Sequence, residues 1–427
     1  MAISLPQSHR HLPLFLSLTL LAACGGDVDS DGRWTGSSDE HSYAEGDASD
    51  GDWAGSEGAD PSGDGEAEPI EEIEPGQLTA GEWRDLDNWD FWLGLFDAPD
   101  PQDPTSSSTW SGFESRWSTY TRDRFPVVVS IADEPVIDAE VLLLDAEGEP
   151  VWQTRTDNRG RAELFNGYFG APSDGPFTIL TISGDYEVET AAIDAAPGAE
   201  EDPIQVEMTA ASDPPHALDL MFMIDTTGSM GDEIRYIQAE LRDVITRVQQ
   251  EVGASLDLRL SVNFYRDHGD DYVVLPFPFT RDYDQAISDL QEQSAAGGGD
   301  YPEAVDMAME NAIFEHDWSE EATARLLFIV LDAPPHHNQD SISRLHQSLR
   351  ATAEQGVRMI PLMGSGYDRE TEYLMRSFAI ATGGTFTFLT DHSGIGDSHL
   401  EPTVGQYKVE LLNDLMVRII ESYSVLP

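Results

Sequence analysis

Asp225, Thr227 and Ser229 set a carboxylate and two hydroxyls at alternate positions directly after the apolar run 220–224. Two later stretches offer oxygen donors in a similar setting. Asp300 lies in "GGGDYPEA" (297–304), and Asp332 follows the apolar "RLLFIVL" and opens "DAPPHH". Carboxylate and hydroxyl oxygens without cysteine suit a hard cation, Mg²⁺, Ca²⁺ or Mn²⁺. The expected chemistry is therefore cation binding by Asp225, Thr227, Ser229, Asp300 and Asp332. Structural readings stand beside it. Ser229 with Asp232, and Asp300 with Glu303, have capping-box spacing, and Asp332 before Ala-Pro-Pro could simply stop a strand. Capping and ligation are compatible, because a helix N-terminus favours oxyanions. The joint occurrence of three such loops favours the metal site.

For these loops to meet, the elements before them must end at one edge. From about residue 215 strands and helices alternate. After the strand 218–225, Ile234, Ile237, Leu241, Val244, Ile245 and Val248 recur at helical spacing, with Glu240, Arg242 and Asp243 pointing elsewhere. Strand-like "LRLSVNFY" and "VVLPFPF" follow, then helices near 282–295 and from Pro302, the strand "RLLFIVL", a helix at 341–355 and the strand "VRMIPLM". A helix near 370–382, the strand "TFTFLT" and a terminal helix rich in leucine and isoleucine complete the series. Oily strands alternating with amphipathic helices imply a mostly parallel sheet covered on both faces. Ligands of such sheets sit beyond the carboxyl ends of the strands.

"DTTGSM" (225–230) resembles the Asp-x-Ser-x-Ser signature of von Willebrand factor A (VWA) domains, with threonine in the middle position. "FYRDHGDDYV", "GGGDYPEAV" and "LDAPPH" resemble the hemicentin-like and alpha-kinase-associated subgroup. The likeness covers about residues 216–427. It implies a doubly wound, Rossmann-like α/β domain with a metal-ion-dependent adhesion site (MIDAS), whose ligands here would be Asp225, Thr227, Ser229 and Asp332. Asp300 aligns where adhesive VWA sites carry threonine. A third carboxylate would set about −3 against +2, holding the ion more firmly and weakening its demand for an acidic partner.

Upstream the chain reads as several pieces. Residues 124–210 contain seven short, often alternating runs separated by turns such as "AEGEP" and "DNRG", which suits a small all-β sandwich. The stretch "VIDAEVLLLDAEGEPVWQTRTDNRGRAEL" resembles carboxypeptidase-regulatory-like and Ig-like modules, which usually act as spacers. Residues 76–123 gather Trp83, Trp89, Phe91, Trp92, Leu95 and Phe96. Such density usually buries against a neighbouring domain; a carbohydrate platform is the other reading. Residues 24–75 are acidic, rich in Gly and Ser and poor in aliphatics, the composition of a disordered, self-repelling tether. Within it "DVDSDG" begins like an EF-hand loop, but its twelfth position is Ser38 rather than glutamate.

Residues 1–23 read as a signal peptide, with Arg10 before "LFLSLTLLAA", too short to span a bilayer. The closing "LAAC" resembles the lipobox of bacterial lipoproteins, which implies cleavage before Cys24 and its acylation. Cys24 is the chain's only cysteine, so there is no intramolecular disulfide. Gly25 after it, instead of aspartate, favours an outer-membrane address in a bacterial cell envelope. Eighty acidic residues against 23 basic give a formal charge of −57, which excludes phosphate backbones as partners.

The expected function is metal-dependent protein–protein interaction or adhesion at the VWA edge, on a membrane anchor at Cys24. The alternative is a structural scaffold whose metal only braces the domain. A metal-dependent hydrolase is less favoured: HExxH, GxSxG and GxxxxGK[ST] are all absent, and no general base stands out. His336 and His337 invite a zinc or catalytic reading, but after Pro334 and Pro335 they read as a solvated loop, with a rim position near the site as the other use; Arg266 with Asp267 and His268 reads as structural pairing or loop scaffolding in preference to catalysis.

Overall fold

The computed structural model describes residues 73–97, 109–197 and 202–425. Cys24, the signal-like segment and the acidic stretch as far as residue 72 lie outside the described residues.

Three strands form the middle of an eight-stranded sheet: Ala217–Asp225, Ala324–Leu331 and Val357–Met363. Asp257–Tyr265 flanks them on one side and Phe386–Leu389 on the other, all five running parallel. Successive side chains of Ala217–Asp225 go to opposite faces, as strand geometry requires. Leu220, Phe222 and Ile224 enter one core; Met221 and Met223 enter the other. The first core is roofed by Ile234–Glu251 and Leu412–Ser424, the second by Val305–Phe314, Gln339–Glu354 and Arg369–Thr382. Both faces are covered, which is why the central strands carry almost no polar residues. The register pairs Asp225 with Tyr265 and Ile224 with Val330. Asp225 and Asp332 therefore leave the sheet at neighbouring strand ends.

The aromatic segment proves to be part of this layer. Thr79–Trp83 is a strand of the same sheet, antiparallel between Phe386–Leu389 and Glu410–Leu411. What latches it is Glu240, expected to face away from the core but in fact 1% exposed. Its carboxylate accepts the backbone N–H groups of Gly76, Gln77 and Leu78 at 2.7, 2.7 and 3.0 Å. Glu240→Ala would strand three donors at the sheet edge and should destabilise the protein by about 2–4 kcal/mol, read as a lower urea midpoint with Glu240→Gln in between. After the strand, Trp92 stacks on Tyr373 at 5.9 Å, and Arg376 lies over Trp92 and Trp110 at 5.0 Å each. The Arg376 guanidinium is wholly buried and bonds Asp85 at 2.6 Å and Glu372 at 2.9 Å, as a buried charge must. The tryptophans bury against the α/β layer.

Residues 124–207 form two four-stranded sheets. Arg124–Ile131, Glu134–Pro135, Arg161–Phe165 and Ile204–Glu207 make one; Glu140–Leu144, Pro150–Arg155, Thr178–Ser183 and Tyr186–Glu189 make the other. Burial alternates along Arg124–Ile131 and Glu140–Leu144, and the inward Phe125, Val127, Val129, Val141 and Leu143 share one core with Arg369–Thr382. Polar ties reinforce the junction. Arg325 bonds Asp138 at 2.8 Å with both side chains buried, and the Tyr168 hydroxyl donates to the Ser377 carbonyl at 2.8 Å. This unit is built into the α/β layer rather than held away from it as a spacer.

Candidate metal centre

Asp225 is fully buried where the first strand ends. Its Oδ1 accepts the Thr227 backbone N–H at 2.8 Å and the Thr227 hydroxyl at 2.7 Å. The Thr227 hydroxyl lies 3.2 Å from that of Ser229, and Ser229 hydrogen-bonds Asp332. The four residues thus form one chain of oxygens across two strand ends. Thr226 turns the other way, bonding the Tyr265 carbonyl at 2.9 Å and the Tyr272 hydroxyl at 2.8 Å. The strand period sorts the hydroxyls: Thr227 faces the site and Thr226 the scaffold. The capping alternatives do not appear, for neither Gly228–Asp232 nor Ile234–Glu251 has a side-chain cap.

Asp300 does not join the cluster. It is exposed and makes no hydrogen bond or ion pair among the described contacts. Glu303, three residues on, takes the place expected of it. Gly297 and Gly298, at φ +82° and +72°, carry the backbone past the site in a conformation that glycine alone adopts freely. A Cβ on Gly298 would sit 3.1 Å from Glu303 Oε1 and 3.5 Å from Thr227 Cβ, so the second loop touches the first through its glycines. Glu303 is then fixed by its N–H to the Pro334 carbonyl at 2.9 Å and by a parallel bridge to Pro335. It is 3% exposed. The helix starts at Val305 with no side-chain cap, so Glu303 is no capping partner of Asp300 either.

Three carboxylates are thereby buried close enough to repel one another. Burial, then the Asp332 charge, raises Asp225 to about 7. Glu303 is pushed to about 9 by burial and by Asp225, Asp267 and Asp332. Burial raises Asp332 to about 6, with Glu233 adding to it. Each carboxylate also keeps an oxygen with no hydrogen-bond partner: Asp225 Oδ2, Asp332 Oδ1 and Glu303 Oε2. Buried polar atoms are seldom left so; the Tyr265 hydroxyl beside Asp225 is buried and unsatisfied as well, and a divalent cation is a group that would draw all three carboxylates at once. The donor set of Asp225, Thr227, Ser229, Asp332 and Glu303 fits Mg²⁺, Ca²⁺ or Mn²⁺. Asp300→Thr should leave Mn²⁺ affinity within about 2-fold, whereas Glu303→Gln should weaken it roughly 10-fold or more; calorimetric titration reads both.

Residues 219–390 match the von Willebrand factor A domain. This part of the chain is a VWA domain. VWA domains commonly bind a divalent metal and often mediate protein–protein contact. The chain is also similar to an ariadne-like RING finger protein of Acanthamoeba polyphaga mimivirus, 27% identical over 124 residues. The match covers 29% of this chain and 12% of that relative's length. The VWA sheet extends past the matched residues: Thr79–Trp83 and Glu410–Leu411 finish it from either side in sequence.

The adjacent histidines part company. His337 Nε2 donates to the Arg116 carbonyl, 3.1 Å away, and sets its ring edge-on to Trp117 at 4.9 Å. It is scaffolding. His336 turns to Asp267, 2.7 Å away, at the rim of the VWA site. Arg266 is also structural, bonding the Thr226 and Ser294 carbonyls at 3.2 and 2.9 Å and lying over Tyr272. No helix among the described residues is long and apolar enough to cross a membrane.

Proposed function

We propose that this chain is a cell-envelope lipoprotein, acylated at Cys24 and addressed to the outer membrane, whose VWA domain captures a protein partner through one divalent cation. The cation is held at a MIDAS-type site by Asp225, Thr227, Ser229, Asp332 and Glu303. The three orphaned carboxylate oxygens at one sheet edge carry this reading. Bound there, the ion supplies an electrophilic point with exchangeable positions for a partner's oxygen.

The surroundings shape the partner. Asp232, Asp271 and Asp300 are exposed on the loops around the site, and the formal chain charge is −57. With three carboxylates already near the ion, an incoming acidic side chain meets repulsion. A hydroxyl or carbonyl ligand flanked by basic residues is the better match. No catalytic role is assigned.

Immobilised full-length protein should retain a partner from envelope extract in Mg²⁺, lose it in EDTA and regain it when Mg²⁺ returns. Capture that persists in EDTA while the melting temperature falls would replace this reading with the bracing scaffold.

A further inference from the structure

Beside the oxygen-lined VWA site lies a group of different chemistry. One ligand atom from each of Asp267, His268 and His336 falls within 4.8 Å of the other two. Asp267 is buried, His336 partly buried and His268 exposed. His336 Nε2 is 2.7 Å from Asp267 Oδ1, and the two imidazole centroids are 5.3 Å apart at 39°.

The group is assembled by backbone that leaves it little freedom. Arg266 ends the Asp257–Tyr265 strand and is locked by its own side-chain bonds, which places Asp267 and His268. Pro334 and Pro335 precede His336 with fixed φ. One short segment ties both loops: the Glu303 N–H donates to the Pro334 carbonyl at 2.9 Å, and the Ala304 N–H to the Arg266 carbonyl at 3.3 Å. The Asp267 N–H is bound by Asp270 at 3.1 Å, and Asp270 accepts Gly298 N–H at 2.9 Å with its same oxygen. Two loops distant in sequence are thus pinned so that two imidazoles and a carboxylate converge.

We propose that Asp267, His268 and His336 form a second metal site, for a borderline divalent ion of the Zn²⁺ class, separate from the hard-cation VWA site. Two imidazole nitrogens and one carboxylate oxygen are the donors such an ion prefers, and Mg²⁺ does not. Ligand atoms around tetrahedral zinc lie roughly 3.3 Å apart, given its bond lengths, so closure draws together atoms that already lie within 4.8 Å, with His268 the most exposed of the three. His336 Nε2 and Asp267 Oδ1 already face each other at 2.7 Å, and ligation of an ion there replaces that hydrogen bond. Three protein ligands leave a tetrahedral ion a fourth position on the solvent side, open to water or to a partner's side chain.

The test is calorimetric titration of untagged, chelator-stripped full-length protein with Zn²⁺ in saturating Mg²⁺, together with the visible spectrum of the Co²⁺-loaded protein. One Zn²⁺ per chain should bind, and Co²⁺ should show the intense bands of tetrahedral coordination. His268→Ala, at an exposed position, and His336→Ala should each weaken Zn²⁺ by more than about 100-fold and abolish the Co²⁺ bands, with Mg²⁺ binding unchanged. Asp225→Asn should lose Mg²⁺ and keep Zn²⁺. Unchanged Zn²⁺ affinity in both histidine variants overturns the proposal, as does loss of Zn²⁺ in Asp225→Asn, which would place the zinc in the VWA site itself.

Discussion

Asp225→Asn should abolish Mg²⁺ and Mn²⁺ binding, by about 100-fold or more in affinity, while leaving the metal-free protein at least as stable as before. The two halves have one cause. Asp225 Oδ1 is committed to the Thr227 N–H and hydroxyl, and an amide oxygen can accept both bonds, so the loop keeps its shape. The remaining polar neighbour of Asp225 is the buried Tyr265 hydroxyl, and in the metal-free protein any charge on Asp225 faces Asp332 and Glu303. Removing that charge relieves repulsion that only the cation would otherwise offset. In thermal unfolding, the wild type should gain stability on adding Mg²⁺ by the linkage of binding to folding. The variant should start at or above the metal-free wild type and gain nothing. A variant that melts far below the metal-free wild type would mean that Asp225 serves the fold and not the ion.

The second large effect is a pH dependence that the cation reverses. Asp225, Asp332 and Glu303 are raised to about 7, 6 and 9 in the folded, metal-free protein. The folded state therefore holds protons that the unfolded chain, with ordinary carboxylates near pH 4, has already released. Stability falls wherever the native state binds more protons than the unfolded one. The metal-free protein should be most stable near pH 4–5 at this site and lose several kcal/mol, to order of magnitude, as pH rises towards 9. A cation displaces those protons, so its affinity should climb over the same window and its binding should release protons. Urea midpoints in EDTA across that range should slope down, and in saturating Mg²⁺ the slope should flatten. In Glu303→Gln the decline should end near pH 7, because the group titrating highest is gone. A metal-free profile that rises from pH 5 to 9 would rule out the carboxylate cluster as its source.

What the residues revealed on their own followed from period and composition. Continuous apolar runs such as "RLLFIVL" could only be strands covered on both faces, and their carboxyl ends had to carry the loops of Asp225 and Asp332. Pairwise ties across long sequence distances were not legible. Glu240 sits at a polar position of an amphipathic helix, and nothing local says that it bonds the backbone of residues 76–78. The strand it latches, Thr79–Trp83, is separated from the rest of its sheet by two whole four-stranded sheets, so a reading by contiguous segments assigns it elsewhere. The second loop shows a finer limit. Sequence spacing placed a carboxylate there, but positive φ at Gly297 and Gly298 decides that the buried one is Glu303 and not Asp300. Likewise, His336 and His337 are indistinguishable neighbours in the chain. The Pro335–Glu303 bridge turns the first towards Asp267, while Trp117 receives the second.

The most direct measurement is an anomalous difference map from crystals of the protein grown with Mn²⁺. One peak should lie between Asp225 and Asp332, with Thr227, Ser229 and Glu303 around it and Asp300 outside, each ligated directly or through water. Solvent-level density at that place, with the three buried carboxylates holding protons at saturating Mn²⁺, would contradict the cation site and the metal-dependent capture that rests on it.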